Sequence, residues 1–416
     1  MIKFFCNLFL ILVLSTEFYW IEVGRGYGRI YQFMAVLVVL ILIRHVLQLF
    51  KSSVFFTLFF FIVINFIAVL FSDNFGQAIE SYCLFLANVS IAVATALILL
   101  DRKIDLTSFR RIILIVTILN ILWGLIQIIA FRILHVNLGL SPQQSYQIEA
   151  GFGPAFRTEA DIFGKFMVLP FLLFFPEFVH NKRSISVKFV YIIFLIGIMM
   201  NFTRTAVFGI GAAFMIITFR YLWTQRSLLF LGKILMLFLA VTFSIVLVLR
   251  GVVNISDYGQ HKIRNFFNQE ELVERGSGSY RLESMRTIID SALSDNKKMI
   301  IGNGWGQTYA HVGRVEIQAG GGDVINVLGY SGLAGVVVYL IYSLCVFFAF
   351  RRASNFKKNP ITAQFAEGAM FAFIGIFFTA QVAGYFNAPE YWMLIGFAIY
   401  FSTRSNHPPK IKLVPG

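Results

Sequence analysis

Arginines, with a few acids and one histidine, are the residues from which this sequence can build chemistry. One long polar break interrupts a strongly apolar chain, between the blocks ending near Leu249 and starting near Val324. It carries Arg281, Arg286, Gly302-Asn303-Gly304-Trp305-Gly306, His311, Glu316 and Asp323. Arg157 lies in a second polar segment, Gly151-Phe152-Gly153-Pro154-Ala155-Phe156-Arg157-Thr158-Glu159-Ala160-Asp161, and Arg204 follows Asn201-Phe202-Thr203 between two apolar blocks. Arginine at a membrane boundary is costly unless it pairs or meets an anion. Its planar fork suits bidentate recognition of phosphate. Each residue also has a plainer reading. Arg204 can snorkel to headgroups, Arg157 can pair locally with Glu159, and Arg281 and Arg286 can sit on a solvated helix face. Asp161 and Lys165 are spaced to pair with each other on a helix. Gly302, Gly304 and Gly306 read as a flexible turn. A dinucleotide site is not indicated, because neither a strand before them nor a helix after them is evident. Asp323, after Gly320-Gly321-Gly322, can be a helix-start carboxylate.

The elements that would position these groups follow from composition. Of 416 residues, 58% are hydrophobic and 13% charged, with 48 Phe, and mean hydropathy is +0.76. Runs of roughly 20 apolar residues are long enough to cross a ~30 Å hydrocarbon core as helices, and helices satisfy their own backbone polar groups in lipid. The expected fold is therefore an all-α polytopic membrane protein forming a single integral membrane domain over 1–416. Spans are expected near 4–21, 32–50, 54–72, 79–100, 110–133, 161–179, 188–202, 205–223, 228–249, 324–350, 363–384 and 388–402. This gives about twelve transmembrane helices, with one long extracytoplasmic loop over 250–323. Within that loop Leu282, Met285, Ile288, Ile289 and Leu293 recur at helical spacing. They predict a short amphipathic helix over 280–293, with Ser279 as its N-cap.

The formal charge of +14 is distributed in a way that argues against nucleic acid. Arg44 and Lys51; Arg102, Lys103, Arg110 and Arg111; Lys182, Arg183 and Lys188; Arg220, Arg226 and Lys233; and Arg351, Arg352, Lys357 and Lys358 fall in alternate connections. With Lys3 and the basic C-terminal tail they define one side, which the positive-inside rule makes cytoplasmic. Both termini are then expected inside and the 250–323 loop outside. Lys3 before an apolar run is also how a signal peptide opens, but no small-residue cleavage site follows, so the first helix is expected to remain. Cys6, Cys83 and Cys345 lack ligand-like spacing. There is no P-loop, Rossmann glycine pattern or H-E-x-x-H segment, so no cofactor and no metal is indicated.

Taken in order, these segments resemble the O-antigen polymerase and ligase superfamily (Wzy and WaaL-like proteins). Asn201-Phe202-Thr203-Arg204-Thr205-Ala206 is similar to the family's S-R-T/G-A segment opening a span. Arg281-Leu282-Glu283-Ser284-Met285 resembles its arginine-bearing loop helix, and Ile301-Gly302-Asn303-Gly304-Trp305-Gly306 its G-x-G-x-G segment. The stretch from Asp323-Val324-Ile325-Asn326 through Ser331-Gly332-Leu333-Ala334-Gly335 resembles the H-N-x-x-L...G-L-x-G entry to the next span. Arg157-Thr158-Glu159 resembles an arginine-containing segment before an earlier span. The likeness covers about residues 150–350.

The resemblance implies a GT-C-like architecture in the bacterial inner membrane. It implies a glycosyltransferase that takes glycan from undecaprenyl diphosphate and adds it to a second lipid-linked repeat unit at the outer leaflet. Its partners would be undecaprenyl-diphosphate-linked oligosaccharides and the bilayer, with a chain-length regulator and a flippase in the same assembly. Arg157, Arg204, Arg281 and Arg286 would bind diphosphate; Glu159, His311, Glu316 and Asp323 are the candidate bases. Ligases of the family carry a histidine where Gly321 falls here, and His311 lies ten residues earlier, which favours polymerase over ligase. Two further readings are a secondary transporter or flippase, for which no convincing internal repeat is present, and a non-catalytic member of a polysaccharide assembly.

Overall fold

The computed structural model describes residues 2–15, 19–23, 26–102, 104–149, 152–157, 160–180, 185–201, 203–225, 277–307, 309–312, 315–318, 321–356 and 359–405. The chain opens with α1 (Ile2–Ser15), a hairpin of β1 (Tyr19–Val23) and β2 (Gly26–Arg29), and α2 (Ile30–Ile41). A single 3-10 turn leads to α3 (Val46–Leu49), then α4 (Ser53–Leu70), α5 (Phe75–Leu100), α6 (Leu106–Leu134) and α7 (Pro142–Glu149). Next come α8 (Ala160–Leu173), α9 (Phe175–His180), α10 (Ile185–Asn201) and α11 (Arg204–Gln225). After the undescribed stretch follow α12 (Ser277–Leu293), α13 (Asn296–Ile301) and a hairpin of β3 (Tyr309–Val312) with β4 (Val315–Gln318). The last three helices are α14 (Asp323–Ser354), α15 (Pro360–Ala383) and α16 (Pro389–Ser405).

Local sequence explains where several helices begin. The Ser52 side chain accepts the Phe55 amide at 3.2 Å, Asp105 accepts that of Ser108 at 2.9 Å, and Asn359 accepts that of Thr362 at 3.1 Å, with Pro360 next. Each satisfies an amide that the first helical turn leaves unpaired.

Five helices among the described residues, α4, α5, α6, α14 and α15, are long and apolar enough to cross a membrane. The pair α2 and α3, bent by 69°, makes a sixth if counted as one span. Phe56, Ile115, Ile133, Phe189, Met215 and Leu344 are exposed. Large apolar residues spread over so much surface suit a lipid solvent and not water. The chain is an integral membrane protein, and the described residues show five or six such spans, not twelve. Helices occupy the other expected positions, several of them short or bent, while 228–249 lies outside the described residues.

Three expectations are corrected. The first apolar block stops being helical at Ser15, and Tyr19–Val23 is a strand paired with Gly26–Arg29. Aromatic and β-branched residues followed by glycines favour that turn-back. The fold is thus not purely helical: two short hairpins accompany the helices. In α12 the helix starts at Ser277, which places Ser279 inside its first turn instead of at the cap, and the face turned inward is Ser284, Ile288 and Ala292. Leu282 and Leu293 of the expected stripe are exposed.

Close helix contacts use small residues, as expected where lipid supplies no hydrophobic drive between helices. A Cβ at Gly209 of α11 would come within 2.5 Å of the Gly375 carbonyl on α15. One at Gly396 of α16 would meet the Ala92 carbonyl of α5 at 2.6 Å.

A further tight arrangement surrounds a break in α14. Ser331 and Gly332 leave helical geometry, Gly332 with φ +64°. The break frees the carbonyls of Gly329 and Tyr330, which accept the amides of Asn303 and Gly304 at 2.9 and 3.0 Å. Gly302, Gly304 and Gly306 have φ of +84°, +98° and +73° and are buried. The expected flexible turn is therefore a fitted plug. Trp305 continues it into an aromatic group with Phe85 and Tyr330, at ring separations of 4.1 and 4.9 Å.

Gly302→Ala would place a Cβ 2.5 Å from the Tyr330 and Ser331 backbone while forcing the left-handed region. It is expected to lower stability by about 2–4 kcal/mol. Gly211→Ala, in α11 with open space around it, should gain about 1 kcal/mol. Paired unfolding midpoints in detergent test this; equal midpoints would mean the plug is not rigid.

Candidate functional site

Helix ends and connections converge on one end of the bundle, here the polar end, where buried charge collects. The 152–157 segment is held from both sides by glutamines that the backbone needs. Gln127 of α6 accepts the Ala155 amide at 3.0 Å and donates to its carbonyl at 3.3 Å. Gln144 of α7 donates to the Arg157 carbonyl at 2.5 Å. Ala155 sits at φ +58°, a turn that these bonds impose.

Arg157 is fully buried. Its Nη2 donates to the Leu14 carbonyl at 3.1 Å and lies 3.7 Å from Glu390 Oε2, and its guanidinium stacks 4.7 Å over Phe166. Glu390, in the first turn of α16, is also buried. Glu159, the neighbour expected to pair with Arg157, lies outside the described residues. Arg157 therefore joins α1, α8 and α16 instead of facing an open surface.

Asp323 opens α14 behind Gly322, in the helix-start position its sequence suggested, and is completely buried. Its Oδ1 accepts the Tyr385 amide at 2.8 Å. Its Oδ2 has no well-aligned donor among the described residues, although the Tyr339 phenol is close by. The Tyr385 hydroxyl donates to the Lys165 carbonyl at 2.7 Å, and Lys165 Nζ reaches the Ala383 carbonyl at 3.4 Å. Burial, reinforced by Glu390, holds the Tyr385 phenol well above its usual range, so it stays a neutral donor. Asp161, the expected partner of Lys165, has no described side chain.

Arg204 opens α11 as expected, half-buried. The next residue, Thr205, accepts the Thr379 hydroxyl of α15 at 3.3 Å. Two residues further along α15, Gln381 accepts the Val324 amide at 3.3 Å. That chain of contacts joins the start of α11 to the Asp323 region. From the loop, α12 packs on α14 through Ile288 and Ile325. It carries Arg281, whose side chain is outside the described set, and exposed Arg286. His311 and Glu316 are register partners across the β3–β4 hairpin, and their side chains are likewise outside the description. Gly302, Gly304 and Gly306 build the α14 plug. Among the described residues no group of three metal-ligating side chains occurs.

Sequence reasoning missed Glu390, Tyr385 and Arg29. Arg29 Nη1 donates to Tyr31 Oη at 2.6 Å and to the Asn387 carbonyl at 3.3 Å, tying the first hairpin to the same end. Glu390 had a signal: a carboxylate inside an expected span demands a partner. Nothing local pointed to Arg157 as that partner.

Compared with known proteins, the chain matches no family model and no curated protein.

Removing one member of a buried ion pair strands the other, at a cost of about 3–5 kcal/mol. Glu390→Gln is expected to show such a loss in detergent unfolding. Asp73→Asn, which breaks the exposed 3.3 Å pair with Lys298, should cost less than ~1 kcal/mol. Equal small effects would show that the Arg157–Glu390 contact does not secure this end.

Proposed function

We propose that this chain is a bacterial polysaccharide polymerase, transferring glycan from undecaprenyl diphosphate to a second lipid-linked repeat unit at the outer leaflet. The observation that carries the reading is the burial of Arg157, Asp323 and Glu390, with half-buried Lys165 beside them, at one end of an apolar bundle, near the start of α11 and the arginine-bearing α12. Buried charge costs stability and is retained where it binds or moves charge. The motif order described in the sequence supplies the reaction class.

In this mechanism the acceptor hydroxyl attacks the anomeric carbon of the donor glycan. The bond from that carbon to the diphosphate oxygen breaks, and the diphosphate departs with the bonding electrons. Arg204, Arg281 and Arg286 bind the diphosphate and stabilise its growing charge where water is scarce. Arg157 acts one step back, holding the 152–157 segment against α16. The hydroxyl proton goes to one of the candidate bases Glu159, His311, Glu316 and Asp323, of which Asp323 is completely buried and must be uncovered by the bound substrate. Much of the acceleration comes from fixing two lipid-linked substrates in one place. The glycosyl diphosphate already stores the energy, so no nucleotide site is required.

Arg204→Ala is expected to insert normally yet stop chain extension, leaving single repeat units in the surface glycan profile of the complemented deletion strain. Normal chain length would remove Arg204 from the mechanism. Full-length polymer stranded on undecaprenyl diphosphate in the deletion strain would instead indicate the ligase reaction. For orientation, external protease should cut a tag in the 250–323 loop and spare one at the C-terminus. The reverse pattern would put the site on the wrong face for this chemistry.

A further inference from the structure

The end of the bundle opposite the buried cluster holds a second charged feature that the proposed reaction does not use. Two adjoining pockets of about 260 and 330 Å³ share Leu99, Arg102, Tyr400 and Arg404. Lys51 and Gln48 complete the polar lining of the first, together with Thr403. Its described lining therefore contains three cations and no carboxylate. Nearby Asp101 is engaged elsewhere: its Oδ1 meets Arg44 Nη2 at 3.2 Å and His45 Nε2 at 2.8 Å. Asp105 lines only the second pocket, where it caps α6.

The three cations are exposed, and two of them sit on constrained elements. Arg102 has φ +55°, a left-handed backbone that a non-glycine residue adopts only when its surroundings impose it. The Arg404 guanidinium lies 5.2 Å from the Tyr400 ring centre, which lines both pockets. Like charges gathered around a cleft favour an anion. The cleft also adjoins apolar surface: Leu47 and Phe50 flank Gln48 and Lys51 and are exposed, as is Ile361 of the second pocket. A soluble anion has no use for that surface, whereas acyl chains do.

We infer that this cleft binds a phosphate group, supplied by the headgroup of an anionic phospholipid in the leaflet at the basic end. The two pockets take the headgroup, while the chains lie along Leu47, Phe50 and Ile361. Basic pockets between membrane helices on the cytoplasmic side are suited to this chemistry. The inference stands apart from the glycan reaction, since none of its residues belongs to the other site.

The test uses the full-length protein in neutral detergent. Native mass spectrometry follows lipid retained after adding phosphatidylglycerol or phosphatidylcholine, and inorganic phosphate is added as a competitor. Phosphatidylglycerol should be retained over phosphatidylcholine. Retention should weaken about fivefold for each charge removed in Arg102→Asn and Arg404→Gln. Asparagine is chosen at 102 because it tolerates the left-handed backbone. If the double variant does not fold, Lys51→Gln alone carries the test with the same expected direction. Equal binding of inorganic phosphate, lost in the same variants, would keep the phosphate site and move its source from lipid to solution. Lack of selectivity for either anion, or retention that survives loss of the charges, overturns the inference.

Discussion

A helix in lipid cannot leave a carbonyl unpaired, because no water is there to meet it. The break in α14 at Ser331 and Gly332, about 12 Å along the helix from Asp323 at ~1.5 Å per residue, creates that demand. The amides of Asn303 and Gly304 answer it through the Gly329 and Tyr330 carbonyls. Gly302 and Gly332 let the backbones come so close, since a Cβ at either would run into the opposite chain. The contact fixes α13 and α12 against the first part of α14, so the long loop is held onto the membrane domain by a backbone requirement. The Tyr385 loop meets Asp323 at the start of α14, and α12 packs against that helix through Ile288 and Ile325.

A second constraint separates the two ends. At the polar end, ionisable groups lie inside: Arg157 and Glu390 are buried as a pair, and Asp323 rests on the Tyr385 amide. At the other end the basic partner of each pair reaches water, as with Arg44 beside Asp101 or Arg220 beside Glu367. Charges left accessible to water cost little and contribute little. Charges withdrawn from water cost far more and acquire strong fields. The asymmetry gives the polar end the electrostatic capacity for chemistry and leaves the basic end suited to holding an anionic surface.

The apolar blocks made the membrane class legible, because hydropathy over a window depends on composition alone. The start of α14 at Asp323 and of α11 at Arg204 could also be read from local residues. Span count was less secure. The first block, expected over 4–21, runs into Tyr19–Val23, which is a strand, and the second bends by 69° without any proline or glycine between Ile41 and Ile43. The glycine motif read as a loose turn because its partner, the break at Ser331 and Gly332, shows only when the two segments meet. The Arg157–Glu390 pairing was hidden for the same reason: sequence proximity offered Glu159, while packing brought α16.

The account's central claim is that this chain joins lipid-linked glycans without help from a nucleotide. Purified protein reconstituted in vesicles with an undecaprenyl-diphosphate-linked repeat unit, and nothing else, tests it most directly. The account expects longer lipid-linked chains to appear together with free undecaprenyl diphosphate, one for each bond formed. Repeat units that remain single, with the protein folded and its native substrate present, would contradict it.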